Sequence, residues 1–289
     1  MTEIHYVAPA TLEEAVSAYI EAAGAARILA GGTDLLVQMR SGMVRPSLIV
    51  DVKKIAEVTS VEETADGGFV VGAAISGATL AKHPRFGEVW PGVLEALNLI
   101  GSTQVQGRAS LGGNLCNGSP AADSVPALFA AGAMVTVQGP NGRRELPVED
   151  VPVGPGGTSL APGEIAVCFT LPPRPPGSGD AYLRMIPRTE MDIAVVGCGV
   201  NLTLEDGVCT AARVALGAVA PTVLRVEAAA AALVGGRLEE AALEAAAAAC
   251  RAACNPIDDK RGTIAYRTKV AGVLLKRAAG IAAERATGA

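Results

Sequence analysis

Histidine is almost missing from this chain, which has only His5 and His83. A Ser-His-Asp triad or a multi-histidine metal centre would have to rest on one of them. His83 lies in Lys82-His83-Pro84-Arg85, which reads as a surface turn, so hydrolase and metalloenzyme chemistry is poorly provided for. Aromatic residues make up 3%, with Trp90 as the single tryptophan, and the net charge is -5. A nucleic-acid surface needs the reverse, a basic stripe with stacking platforms. The six cysteines, Cys116, Cys168, Cys198, Cys209, Cys250 and Cys254, are scattered, and only the last two lie close, at helical i,i+4 spacing. That is neither the CxxC spacing of zinc and iron-sulfur sites nor a secreted disulfide framework, and all six read as small buried hydrophobes. No stretch is long and apolar enough to span a bilayer. Met1 to Tyr6 lacks the basic and apolar regions of an export signal. The expectation is a cytoplasmic protein with no membrane span.

What is present is apolar mass and glycine. Half of the 289 residues are hydrophobic, mostly alanine, valine and leucine, enough to build one large or two to three small domains. Within Ser110 to Asp123 stand three glycines, two asparagines and two serines, bordered by apolar runs. Such a segment offers exposed backbone amides and short hydrogen-bonding side chains, with no base, nucleophile or metal cluster. That is chemistry for holding an anionic ligand. Ile28-Leu29-Ala30-Gly31-Gly32-Thr33-Asp34-Leu35 has the same character, a buried-strand-like run entering a paired-glycine turn. Two such segments predict one extended ligand gripped at two places.

The order of elements follows from periodicity and punctuation. Thr11, with Glu14 three residues on, marks a helix start, and the helix should reach about Gly24. Strands are predicted over residues 27–30, 46–51 and 68–73, a helix from Pro91 to Ile100, another from Ser124 to Ala131, then a strand over 133–138 and a hairpin turn at Gly139-Pro140-Asn141-Gly142. Leu171 to Gly179 holds four prolines and two glycines, which cannot sustain a helix or a central strand, and a domain border belongs there. Beyond it, strand-like runs over 192–204 and 211–218 meet across Glu205-Asp206-Gly207, and helices are expected near 224–233, 238–250 and 263–279. This is a smaller α+β unit, an antiparallel sheet backed by helices.

Two carboxylates need separate treatment, because Asp34 and Asp123 would repel a phosphate unless they face another part of the ligand. Asp123 also precedes a predicted helix, so N-capping and ligand contact both stay open for it. Gly197-Cys198-Gly199 imitates a dinucleotide fingerprint, but no third glycine follows at the required spacing, and a small-residue strand packed against a neighbour is the better reading.

With these residues in place, the chain resembles the FAD-binding medium subunit of the molybdenum hydroxylases, the xanthine dehydrogenase and aerobic carbon monoxide dehydrogenase group. The likeness rests on Ala30-Gly31-Gly32-Thr33-Asp34-Leu35 and on Ala109-Ser110-Leu111-Gly112-Gly113-Asn114 running to Ser119-Pro120-Ala121-Ala122-Asp123. It continues through Tyr182-Leu183-Arg184, Arg188 to Ala194, Leu216 to Thr222 and Tyr266-Arg267, so nearly the whole chain is covered. The resemblance implies an α+β fold. A flavin domain of the p-cresol methylhydroxylase type, with two α/β subdomains, would span residues 1–175 (subdomains about 1–55 and 56–175), and an α+β domain would close it over 176–289. It implies that residues 28–35 and 109–114, among them Ser110, Gly112, Gly113 and Asn114, wrap the pyrophosphate and its sugar. Ile100 and Gly101 would approach the isoalloxazine, and Asp123 would bond a cofactor hydroxyl. Ile165 and Arg184 would form the far wall, where a cation offsets the charge of reduced flavin.

The molybdenum cofactor and the [2Fe-2S] clusters would sit on a large and a small partner subunit, often in a dimer of heterotrimers. Electrons would pass from the clusters to FAD and on to NAD+, dioxygen or a quinone. Gly31-Gly32-Thr33-Asp34 is closer to the xanthine and aza-aromatic pattern than to the carbon monoxide enzymes, which more often have serine after the glycines. A self-sufficient flavin oxidase of the same fold would need its own substrate pocket or a covalent flavin anchor, for which two isolated histidines are poor material. A non-catalytic docking protein, using the alanine-rich second half as its face, is the remaining alternative.

Overall fold

The computed structural model describes residues 3–288 and arranges them around three apolar clusters. Thr11 Oγ1 accepts a hydrogen bond from the Glu14 amide (3.2 Å), and the Glu14 carboxylate accepts from the Ala10 amide (3.0 Å). This near-reciprocal capping starts helix Leu12–Glu21, whose Leu12, Ala15 and Val16 recur at helical spacing and pack on a sheet. The helix stops short of Gly24 because Ala23 (φ 48°) and Gly24 (φ 85°) turn the chain through left-handed backbone. The sheet beneath is parallel, with Leu48–Asp51 between His5–Val7 and Ala26–Leu29. That pairing is what strands joined through helices require.

A five-stranded antiparallel sheet follows, in the order Val61–Glu63, Phe69–Gly72, Ile165–Leu171, Met134–Gly139, Gly142–Pro147. Its last two strands form the expected hairpin across Pro140 and Asn141. Ile165–Leu171, the central strand, has no counterpart among the sequence-based expectations. Its register shifts between Ala166 and Cys168, so that Ile165, Val167 and Cys168 join the cluster beneath helix Leu12–Glu21 while Phe169 and Leu171 join the one that holds Phe69 and Trp90. One strand is thereby common to two cores.

Helix Ser124–Ala131 is buried along its whole length, between the five-stranded sheet and a third, four-stranded antiparallel sheet. That sheet runs Ser178–Met185, Val196–Glu205, Val208–Gly217, Leu224–Arg225 and is backed by helices Glu227–Leu233, Glu240–Ala253 and Ile264–Thr287. The expected small-residue strand is here: a Cβ on Gly199 would stand 2.6 Å from the Pro126 carbonyl oxygen, and one on Gly217 would stand 2.8 Å from Pro126 Cγ. Glycine lets the helix lie directly on the sheet.

Two local expectations are corrected and one is refined. The strand expected from Asp192 begins at Val196, because Met191 (φ 54°) turns the chain and the Asp192 carboxylate binds the side chains of Arg188 and Arg261. The turn around His83 is at the surface as expected, and His83 itself is half-buried: its ring packs edge-on to Phe69 at 5.6 Å and its Nδ1 accepts from the Phe86 amide at 3.2 Å. Cys168, Cys198, Cys209 and Cys250 are buried as expected and Cys254 is half-buried, but Cys116 is exposed. Among the described residues no helix is long and apolar enough to cross a membrane.

Candidate functional site

The first glycine segment leaves strand Ala26–Leu29 and turns at Gly32, where φ is 77°, before helix Leu35–Arg40. The amides of Gly31, Gly32, Thr33 and Asp34 have no acceptor among the described residues. In the second segment the sequence conceals a short helix, Leu111–Cys116, despite two adjacent glycines. Ser110 caps it, its Oγ accepting from the Gly113 amide at 3.2 Å, and the Gly112 amide donates to the Ala73 carbonyl at 2.9 Å. The two segments touch. A Cβ on Gly31 would run into the Arg108 carbonyl oxygen and would stand 3.2 Å from Ala109 Cα. The expected two grips are therefore one continuous backbone surface.

That surface is one wall of a cavity of about 870 Å³, near the upper end of the roughly 300–1,000 Å³ usual for small-molecule sites. Ile28, Ala30, Gly31, Gly32, Thr33, Asp34, Leu35, Ile100, Ala109, Ser110, Gly112, Gly113, Asn114 and Ile165 all line it. Leu29, Gly101, Asp123 and Arg184 do not. A third segment also lines it, Gly156, Thr158 and Leu160 to Ala166, of which the sequence pointed only to Ile165. The signal was available: Gly156-Gly157-Thr158 repeats Gly31-Gly32-Thr33. This segment is tied to the second by the Gly156 amide, which donates to the Gly118 carbonyl at 2.9 Å. The first is tied to the second by Gln38, whose Nε2 donates to Asn117 Oδ1 at 2.9 Å. Cys116 and Asn117 also face the cavity.

Little free charge reaches this space. Arg27 is spent on the carbonyls of Gly24 and Ala26, and Glu164 is paired with Arg144. Asp34 stands at the rim, where desolvation raises its carboxyl above the ordinary value. An anion here would meet mainly backbone N–H groups.

Asp123 departs from the capping expectation. It makes no capping bond to helix Ser124–Ala131. The Ser124 amide and hydroxyl instead donate to Asn114 Oδ1, at 3.1 and 2.7 Å. The freed carboxylate turns to the third sheet, accepting from Tyr182 Oη on Oδ1 (2.9 Å) and from Arg184 Nη1 on Oδ2 (2.7 Å). The Arg184 side chain is 4% exposed and its Nε–H finds no partner in the chain. Burial pushes the Asp123 carboxyl up to about 6, against the opposing pull of Arg184 and Tyr182. No group of three or more potential metal ligands occurs among the described residues.

Comparison with known proteins gives one consistent result. Residues 2–174 match the family described as FAD binding domain in molybdopterin dehydrogenase, and residues 181–282 match the CO dehydrogenase flavoprotein C-terminal domain. The carbon monoxide dehydrogenase medium chain of Hydrogenophaga pseudoflava is 34% identical over 94% of each chain. The xanthine dehydrogenase FAD-binding subunit of Escherichia coli O157:H7 is 33% identical over 76% of this chain and 75% of its own. Among solved structures, carbon monoxide dehydrogenase from Hydrogenophaga pseudoflava superposes with a TM-score of 0.94 at 35% identity, and quinoline 2-oxidoreductase from Pseudomonas putida 86 with 0.90 at 28%; both cover 98% of each chain.

Proposed function

The chain belongs to the FAD-binding subunits of the molybdenum hydroxylases, and on that premise we propose that it is the electron-transfer subunit of a complex whose molybdenum cofactor and [2Fe-2S] clusters lie on a large and a small partner subunit. The observation that carries this reading is the cavity itself, lined by the backbone of the Gly31–Asp34 and Ala109–Asn114 segments and free of any histidine. FAD bound there would supply a site that gathers electrons from the clusters and passes them to NAD+, dioxygen or a quinone.

The residues fit that group. The unpartnered amides of residues 31–34 would meet an anionic pyrophosphate without a lysine, while Gly113 leaves room for close approach. Ile28, Ala30, Thr33, Leu35, Ala109, Ser110, Gly112 and Asn114 would shape the wall around it, with Leu29 behind them in the strand. Ile100 and Ile165, which line the cavity, would stand toward the ring with Gly101 beside them; outside the lining, Asp123 would accept from a cofactor hydroxyl and the Arg184 guanidinium, whose buried Nε–H has no partner in the chain, would offset negative charge on the reduced flavin. In this reading residues 1–175 hold the cofactor and residues 176–289 close over it. No side chain of this chain has to act on the organic substrate.

Two substrate classes receive equal support. The relatives that oxidise xanthine and those that oxidise carbon monoxide are similarly identical to this chain, so Thr33 after the glycine pair favours the xanthine or N-heteroaromatic class only weakly. The test is to purify the chain with its partner subunits, release and identify the chromophore by chromatography, and follow flavin bleaching with purines, N-heteroaromatics and carbon monoxide. FAD that bleaches with one class, and only when the partners are present, is the expected result. A chain that neither carries nor takes up FAD would sink the reading.

A further inference from the structure

Tyr182 is a tyrosine where phenylalanine would pack equally well. Its strand, Ser178–Met185, belongs to the third sheet, yet its ring is 2% exposed and sits in the apolar cluster under the five-stranded sheet. The hydroxyl makes one hydrogen bond, to Asp123 Oδ1 at 2.9 Å. Space for it is kept by Gly197, where a Cβ would stand 2.5 Å from the hydroxyl oxygen. Two residues along the same strand, and so on the same face, Arg184 holds the other carboxylate oxygen at 2.7 Å. A carboxylate offers about four acceptor positions, so both oxygens retain capacity for another donor. The groups acting on Asp123 are these two; Cys198, on the neighbouring strand, acts on Tyr182.

We propose that Tyr182 is a positioning residue of the cofactor site: with Arg184 it orients Asp123, across the junction of the two units, as an acceptor for a cofactor hydroxyl. This rests on the reading of Asp123 as a cofactor contact. The consequence is that a cofactor contact on the first unit depends on the docking of the second. Both donors favour the ionised carboxylate, so removing the phenol lets the carboxyl hold its proton to higher pH.

The test uses the full chain stripped of flavin and titrated with FAD between pH 5 and 8, comparing the wild type with Tyr182→Phe, Asp123→Asn and the double variant, with thermal unfolding recorded for each. Tyr182→Phe should bind FAD roughly 10-fold more weakly at neutral pH, the scale of one hydrogen bond to a charged group, and the acid-side loss of affinity should move to higher pH. Asp123→Asn should lose that pH step, and adding Tyr182→Phe to it should weaken binding no further. Gly197→Ala, which crowds the hydroxyl without deleting it, should displace affinity and pH step in the same direction. Wild-type affinity and pH profile in Tyr182→Phe, beside a weakened Asp123→Asn, would overturn the proposal. So would an equal loss in the presence and absence of the Asp123 carboxylate. Wild-type binding in Asp123→Asn would instead show that the underlying reading of Asp123 had failed, and the proposal with it.

Discussion

The glycines of the two segments do different work, and substitution should separate them. Gly112 is held against protein: a Cβ there would stand 2.6 Å from the Ala73 carbonyl oxygen. Gly113 is held against the ligand space, since the nearest atom to its Cβ is Ser110 Oγ at 3.2 Å. Gly113→Val should therefore fold and lose FAD, with affinity down at least about 10-fold as side-chain bulk replaces close backbone approach. Gly112→Val should fail earlier, as low soluble yield or a thermal midpoint far below wild type. Flavin content and unfolding measured on the same preparations check both, and full flavin content in folded Gly113→Val would count against the placement. The sequence made both glycines legible as cavity formers but could not rank them, because the difference lies in Ala73, far away in the chain. For Asp123 the choice between capping and ligand contact stayed open because the helix's first amide is bonded instead by Asn114, nine residues before Asp123.

At the scale of elements, most of what the sequence left unread has both faces buried or runs against local propensity. Helix Leu12–Glu21 was legible from its cap and period and the hairpin at Pro140-Asn141 from its turn, while helix Ser124–Ala131 was legible as an apolar run although Asp123 before it makes no capping bond. Strand Ile165–Leu171 has no clean alternation, since its bulge switches it from one core to another. Helix Leu111–Cys116 carries two glycines, each costing about 1 kcal/mol against alanine, and forms because Ser110 caps it and Ala73 anchors it. The packing of Pro126 on Gly199 offers a direct check. Gly199→Ala should cost about 1–3 kcal/mol by overpacking, seen as a lower denaturation midpoint, whereas Gly235→Ala, with nothing within 4 Å of its Cβ but φ at 89°, tests backbone strain alone.

Over the whole molecule, the two units meet through buried charge. Asp180 is 4% exposed. Its carboxylate accepts from Arg174 at 2.9 Å and from the Val93 amide at 3.2 Å, while Arg285 bonds its carbonyl at 2.7 Å and pairs with Glu95. Burial pushes the carboxyls of Asp180 and Asp123 up to about 6, despite the arginines beside them. A carboxyl raised on folding keeps its proton longer in the native chain than in the unfolded one. The stability it contributes is complete below about pH 4 and is lost as pH rises through about 6. Flavin-free Asp180→Asn should lack this decline, so that the wild type's margin over it shrinks between pH 4.5 and 7 by an amount on the order of 1–3 kcal/mol. Denaturant melts at several pH values read it directly, and parallel curves would refute the assignment.

The same junction has an optical consequence. Trp90 is the chain's single tryptophan; it is 1% exposed, with the Arg174 guanidinium 4.6 Å from its ring centroid. All tryptophan emission from this polypeptide therefore originates at one point on the seam between the units, and its colour reports whether that seam is closed. Flavins absorb where indoles emit, so a cofactor seated in the same chain would drain that light. One fluorophore, supplied by the sequence itself, would report domain docking by its wavelength and flavin occupancy by its intensity.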